Sequence, residues 1–187
     1  MWRRRTKMAR KNAYQRAIDA FHAESRKQCT LLFGAASIAL YRHWGMKKLA
    51  IVRIIRVAKQ AWNECAEDTT VSMIQMCEEE TGIELQNGSG KSWRELLYLN
   101  DDFRNHPLTY EQAVVMRQNQ TKWIPAQITA SILIAMHRKH GFGYDRCARL
   151  YQQMQDIEAE FRYKPDRIRK ACIAETGLNV FEEVRAE

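Results

Sequence analysis

The chain repeats itself. Residues 39–54, ALYRHWGMKKLAIVRI, lie over residues 135–150, AMHRKHGFGYDRCARL, so that Ala39 meets Ala135, Arg42 meets Arg138, Gly45 meets Gly141, Arg53 meets Arg149 and Ile54 meets Leu150. The likeness returns in CEEETGI at 77–83 over CIAETGL at 172–178. The spacing is 96 residues in the first block and 95 in the second. A turn glycine, an arginine and a Glu-Thr-Gly-aliphatic ending held over that distance predict two copies of one helical unit, at 30–85 and 126–181.

Each copy reads as three helices. In the first, Thr30 to His43 is apolar and rich in small residues (Gly34, Ala35, Ala36, Ala39) and stops at Gly45, where a helix C-terminus favours glycine. Lys47 to Asn63 follows, with Leu49, Val52, Ile55, Ala58 and Trp62 as its apolar stripe. The third helix starts at Thr69 or Thr70, both acceptable caps, and ends at Thr81-Gly82. In the second copy the helices are Pro125 to His140, Tyr144 to Tyr163 and Pro165 to Thr176, with Gly141-Phe142-Gly143 and Gly177 as stops. Pro165, opening the third helix, accounts for the one-residue slip in spacing.

Upstream, Asn12 begins a helical pattern through Tyr14, Ile18 and Phe21. Between the copies, Gln86-Asn-Gly-Ser-Gly-Lys91 is flexible punctuation, Trp93 to Leu99 is amphipathic, and Tyr110 to Lys122 is a helix matching the Asn12 helix. Trp123-Ile124-Pro125 is expected to break that helix. No alternating stretch is long enough for a strand, apart from a minor short pair at 83–85 and 178–180. The expected fold is all-α: two tandem three-helix repeats plus an N-terminal basic helix and a connecting segment. Its divisions are 1–29 (basic arm and helix), 30–85 (first repeat), 86–125 (linker with helices) and 126–187 (second repeat).

At 187 residues and 45% apolar content, such a chain can bury a core. No apolar run approaches a membrane span, and the N-terminus lacks the apolar segment of a secretory signal. Five cysteines (29, 65, 77, 147, 172) are odd in number and set in helical pattern. Free thiols in a reducing compartment are expected, which points to the cytoplasm.

Charge is lopsided. Residues 1–60 hold 15 Lys and Arg against two acids, a net of +13, whereas the remainder nets −5. Basic clusters attract phosphate or acidic protein surfaces through their summed field. The candidate nucleic-acid-binding residues are therefore Arg3, Arg4, Arg5, Lys7, Arg10, Lys11 and Arg16 on the N-terminal arm. Lys47, Lys48, Arg53, Arg56 and Lys59 join them from the polar edge of the Lys47 helix. Trp2 and Tyr14 lie between arm cations, where aromatics can stack on bases. The helix–Gly45–helix segment also has the outline of a helix-turn-helix, but its second helix carries a continuous apolar stripe, as in a bundle.

Catalytic chemistry finds little footing. His137, His140, Cys147 and Cys172 could suggest zinc, but Tyr41, Trp44 and Ile51 stand at matched positions of the first copy and cannot bind metal. Gly141-Phe-Gly143 and Asn87-Gly-Ser-Gly-Lys91 lack the full spacing of phosphate-cradling loops. Glu80 and Glu175, beside a helix-ending Thr-Gly in both copies, read as structural. No nucleophile arrangement has a local signature. The expectation is a non-enzymatic protein with no metal and no cofactor.

Helix, His-Gly-Phe-Gly-Tyr (140–144), charged amphipathic helix, then Glu-Thr-Gly-Leu (175–178): this order resembles a group of small proteins of phages and prophages of gut Firmicutes. In that group a (His/Trp)-Gly-Phe-Gly hairpin and a terminal Glu-Thr-Gly-Ile recur. The resemblance covers about 130–180, and the first copy more loosely, where Met46-Lys47 replaces Phe142-Gly143. Some phage proteins of this size are anti-CRISPR inhibitors of Cas9 (type II-A). The resemblance thus implies an inhibitor that binds a Cas9-type nuclease or its guide RNA complex and blocks DNA binding or cleavage in a bacterial cytoplasm. The alternative is a phage DNA-binding protein, regulator or replication accessory, holding DNA or RNA backbone with its basic N-terminal half. Neither reading involves a membrane.

Overall fold

Six helices carry the described residues: α1 (Trp2–Trp44), α2 (Lys48–Glu64), α3 (Thr70–Thr81), α4 (Tyr110–His140), α5 (Tyr144–Glu160) and α6 (Pro165–Thr176). The computed structural model describes residues 2–64, 70–86, 110–180 and 182; along 2–11, 63, 70–72 and 110–121 it describes the backbone alone. The chain is all-α, with an isolated bridge residue at Gln86 and no strand or sheet among the described residues. Residues 83–85 are irregular and Val180 is helical, so the minor strand pair expected at 83–85 and 178–180 does not form. Residues 65–69 separate α2 from α3, but only 161–164 separate α5 from α6, which places the slip from 96 to 95 in that turn.

Each copy ends its helices by the same local devices. Gly45 and Gly141 adopt φ of 64° and 60°, a left-handed conformation that would press a Cβ against the following carbonyl. The next residue then caps the helix: Met46 N–H donates to Leu40 O at 3.1 Å and Phe142 N–H to Met136 O at 3.4 Å, each reaching six residues back to a carbonyl of the last turns. At the third helices, Thr81 Oγ1 donates to Cys77 O (2.6 Å) and accepts from Ile83 N–H (3.2 Å). Thr176 repeats this with Cys172 O (2.7 Å) and Leu178 N–H (3.2 Å).

Packing departs from tandem units. The stretches Thr30–Leu40 of α1 and Ile128–Met136 of α4 are buried on every side, as helices at the centre of a core must be. They pack on each other, and each is then enclosed by helices of the opposite copy. α1 lies against α5 and α6, whereas α4 lies against α2 and α3. Contact between α1 and α2, or between α4 and α5, is sparse, so each glycine turn opens outward. The two copies are interlocked around one core, in which Ile38, Ile54, Ile132, Leu133 and Leu150 are among the fully buried side chains.

Several sequence expectations are corrected. The Asn12 and Thr30 helices are one helix of 43 residues, about 64 Å long at the usual rise, because no breaker stands between Phe21 and Thr30. The Tyr110 helix likewise runs through Trp123-Ile124-Pro125 into α4. Proline removes one backbone donor there, at a cost of about 3 kcal/mol in an open helix. The burial of Trp123, Ile124, Ala126 and Ile128 around it offsets that cost. The boundary at 29/30 therefore falls inside α1, and the 86–125 segment ends inside α4. The Tyr144 helix stops at Glu160 rather than Tyr163, since Arg162 and Tyr163 both turn to φ 54°. Leu49 is 72% exposed, because α2 buries Ile51, Ile54, Ile55, Ala58 and Ala61 and turns Leu49 to the opposite side. The expected Trp93–Leu99 helix and the 86–91 punctuation beyond Gln86 lie outside the described residues.

Candidate nucleic-acid interface

Five residues share the outer face of α2: Lys48, Leu49, Arg53, Arg56 and Gln60, all exposed. Their spacing of three, four and seven follows from burying the opposite side against α4. Lys47, in the turn before the helix, is exposed beside them. Among the described residues, none of Lys47, Lys48, Arg53 and Arg56 forms an ion pair or side-chain hydrogen bond. Lys59 differs. It is half-buried on the side of α2 nearest Cys29 of α1, where its charge acts on that thiol.

The same face of α5 has different chemistry. Tyr144, Asp145, Arg149, Gln152 and Asp156 occupy the matched exposed positions, and Gln152 Nε2 donates to Asp156 Oδ1 at 3.0 Å. One copy presents cations to solvent and the other a mixed, slightly acidic surface. The cores beneath are matched.

On the long first helix, Arg16 is exposed and its Nε donates to Asn12 O at 3.2 Å. Arg3, Arg4, Arg5, Lys7, Arg10 and Lys11 lie on the backbone of α1, and their side chains fall outside the described residues.

Two arginines that could have been counted as surface cations are committed elsewhere. Arg42 is gripped by Glu175, with Nε to Oε2 at 2.8 Å and a second nitrogen to Oε1 at 2.7 Å. Glu160 holds it from the other side at 2.7 Å. Arg138 makes the matching set with Glu80, at 3.0 and 2.7 Å, and with Glu64 at 2.7 Å. Hydrogen bonds donated to the paired carboxylates raise both guanidinium pKa values. Glu80 and Glu175 are structural, as their place beside the Thr-Gly stop suggested, and their partners come from the opposite copy. The signal was present in the repeat, where Arg42, Glu64 and Glu80 reappear as Arg138, Glu160 and Glu175.

The histidines and cysteines stay apart as ligands. His137 Nδ1 lies 2.8 Å from Phe142 O and steadies the Gly141 turn. Cys147 Sγ reaches the same carbonyl at 3.6 Å, and Cys172 Sγ lies 3.5 Å from Thr176 Oγ1. Burial pushes the Cys77 thiol up to about 12 and those of Cys29 and Cys147 up to about 11. Among the described residues no three His, Cys, Asp or Glu side chains converge to hold a metal ion. No helix among them is long and apolar enough to cross a membrane.

Comparison with protein-family models, with curated proteins and with solved structures finds no match for this chain.

Proposed function

We propose that this protein is a non-enzymatic binder of nucleic-acid backbone, a phage-encoded DNA-binding accessory or regulator that works through its basic face. One observation carries this reading. Lys48, Arg53 and Arg56 stand on the outer side of α2 without acid partners among the described residues, while the matched face of α5 holds two acids and one arginine. The fold does not need Lys48 or Arg56, since the second copy builds the same helix with Tyr144 and Gln152 at the matched positions. Unpaired exposed cations in a row suit phosphate, whose binding releases condensed counterions. They position a protein on a duplex without reading its bases.

Titrating a labelled duplex at several salt concentrations tests the reading. Reversing Arg53 and Arg56 together to glutamate should weaken binding to all sequences and reduce the salt slope by about one for each lost phosphate contact. An unchanged slope in a folded variant removes α2 from the interface.

Inhibition of a Cas9-type nuclease is the second form of the proposal, and the resemblance of the second copy implies it. It is favoured by the presence of exposed acids, Glu84, Asp145 and Asp156, in a chain with a cationic face. A guide complex offers both phosphate backbone and basic channels. Stable co-elution with the guide complex and loss of cleavage at stoichiometric protein would support this form. Inhibition only when protein coats the target DNA supports the stand-alone binder.

A further inference from the structure

A second cationic site lies in a cleft of about 480 Å³ between the middle of α1 and the start of α6. Arg26, Lys27 and Thr30 line it from α1, and Pro165, Asp166 and Arg169 from α6. These residues are far apart in sequence and meet only because α1 packs on the opposite copy's third helix. Arg169 belongs to RYKPDRIRK (162–170), a run with five cations and one acid inside the part of the chain, 61–187, that nets −5. The division into a basic front and an acidic rear therefore fails in three dimensions.

The cleft's charges are weakly neutralised. Arg26 has no ion-pair partner among the described residues. Lys27 Nζ lies 3.3 Å from Glu24 Oε1. The Arg169 guanidinium is 3.9 Å from Asp166 Oδ1, whose side chain is 89% exposed and therefore well screened. Arg169 Nε is shielded from solvent and has no hydrogen-bond partner among the described residues. The Arg169 side chain as a whole is 42% exposed and lines the cleft, where an anion would accept charge-assisted hydrogen bonds from its terminal nitrogens.

Scaffold requirements do not explain Lys27 and Arg169. Carried along the repeat, Arg26, Lys27 and Thr30 correspond to Lys122, Trp123 and Ala126 of α4, and Pro165, Asp166 and Arg169 to Thr70, Val71 and Ile74 of α3. At the matched positions the other copy keeps one cation, Lys122 for Arg26, but replaces Lys27 with Trp123 and Arg169 with Ile74.

We propose that the α1–α6 cleft is a phosphate-binding site in which Arg26, Lys27 and Arg169 recognise the anion. The phosphate is either that of a small phosphorylated molecule or a nucleic-acid backbone, and the probes below separate these sources. Pyrophosphate and a short single-stranded oligodeoxynucleotide are titrated into the intact protein at constant ionic strength. Calorimetry gives affinity and amide chemical shifts give location.

Saturable binding that moves the amides of Thr30, Ile168 and Arg169 is expected. Arg26→Gln and Arg169→Gln should each weaken it about 10-fold or more, the ordinary effect of losing a charged hydrogen bond. Pyrophosphate alone binding identifies a small ligand; tighter oligonucleotide binding at the same amides identifies backbone. The Arg53→Glu/Arg56→Glu protein should bind pyrophosphate like wild type, so failure of the α2 interface and failure of this cleft are separable. The proposal is overturned if neither probe moves those amides, or if Arg26→Gln, an exposed position whose loss leaves the fold intact, binds with wild-type affinity.

Discussion

Arg42 and Glu175 lie 133 residues apart in the chain and meet through two parallel hydrogen bonds, at 2.8 and 2.7 Å. Arg138 and Glu80 form the same fork in the other direction, over 58 residues. Each copy thus holds the other by one arginine. The forks are about one-third exposed, so screening limits their worth, but bidentate geometry raises them above an ordinary surface pair. Arg42→Ala should cost about 1–2 kcal/mol in denaturant unfolding, and Arg138→Ala a similar amount. In a double-mutant cycle Arg42 and Glu175 should couple by about 1 kcal/mol, less at high salt. Strictly additive losses would mean that the fork holds nothing.

Gly34 packs α1 directly against Ile168 of α6. A Cβ built on it would overlap Ile168 Cγ2, and Ile168 is fully buried. In an open helix Gly→Ala gains about 1 kcal/mol. Here overpacking should reverse the sign, so that Gly34→Ala destabilises by about 1–3 kcal/mol. Because Ile168 is the obstacle, the loss should be smaller in an Ile168→Ala background. A more stable Gly34→Ala protein would show that the two helices can part freely.

Glu158 stands at the position matched by the half-buried Trp62, and burial there raises its carboxyl from 4.5 to about 7. The folded state therefore favours the neutral form. Below the unfolded value both states are protonated and no penalty arises. As pH rises to about 7 the unfolded chain gives up a proton that the folded one retains, so stability falls and then levels. Glu158→Gln should be near-neutral at about pH 4 and stabilising by on the order of 2 kcal/mol at about pH 8. Unfolding curves at the two pH values check it; an equal effect at both would place Glu158 in solvent. The same charge helps to raise the Tyr151 hydroxyl, behind the larger effect of burial.

Cys77, Cys147 and Cys172 are buried, with thiols pushed up by desolvation. Thiolate is the reactive form, so these three should resist a disulfide reagent at about pH 8 and react at the rate of unfolding. The measurement belongs in a Cys65→Ser background, since Cys65 lies outside the described residues. Cys29 is half-buried, and its raised pKa should slow it as well. Immediate titration of the buried three would contradict the packing of α3, α5 and α6.

Much of this architecture was legible in the chain because its signals are local. Helical periodicity, glycine at 45, 82, 141 and 177, and threonine at 81 and 176 act within a turn or two, and each did what its neighbours required. The exposure of Lys48, Arg53 and Arg56 was likewise readable from their place opposite the apolar stripe. Helix continuity across Pro125 was not readable, since it depends on the burial of Trp123 and Ile124 by other helices. Nor was the choice of partner. In a duplicated sequence Arg42 has chemically equal carboxylates in Glu80 of its own copy and Glu175 of the other, and a helix apolar on all sides accepts either set of neighbours. Tertiary structure decided between them through the direction in which the chain leaves Gly45 and Gly141. The turns send α2 and α5 away from the helices that precede them, and only the opposite copy is then within reach. That geometry also brings Arg26 to Arg169, a meeting that charge counted along the sequence had hidden.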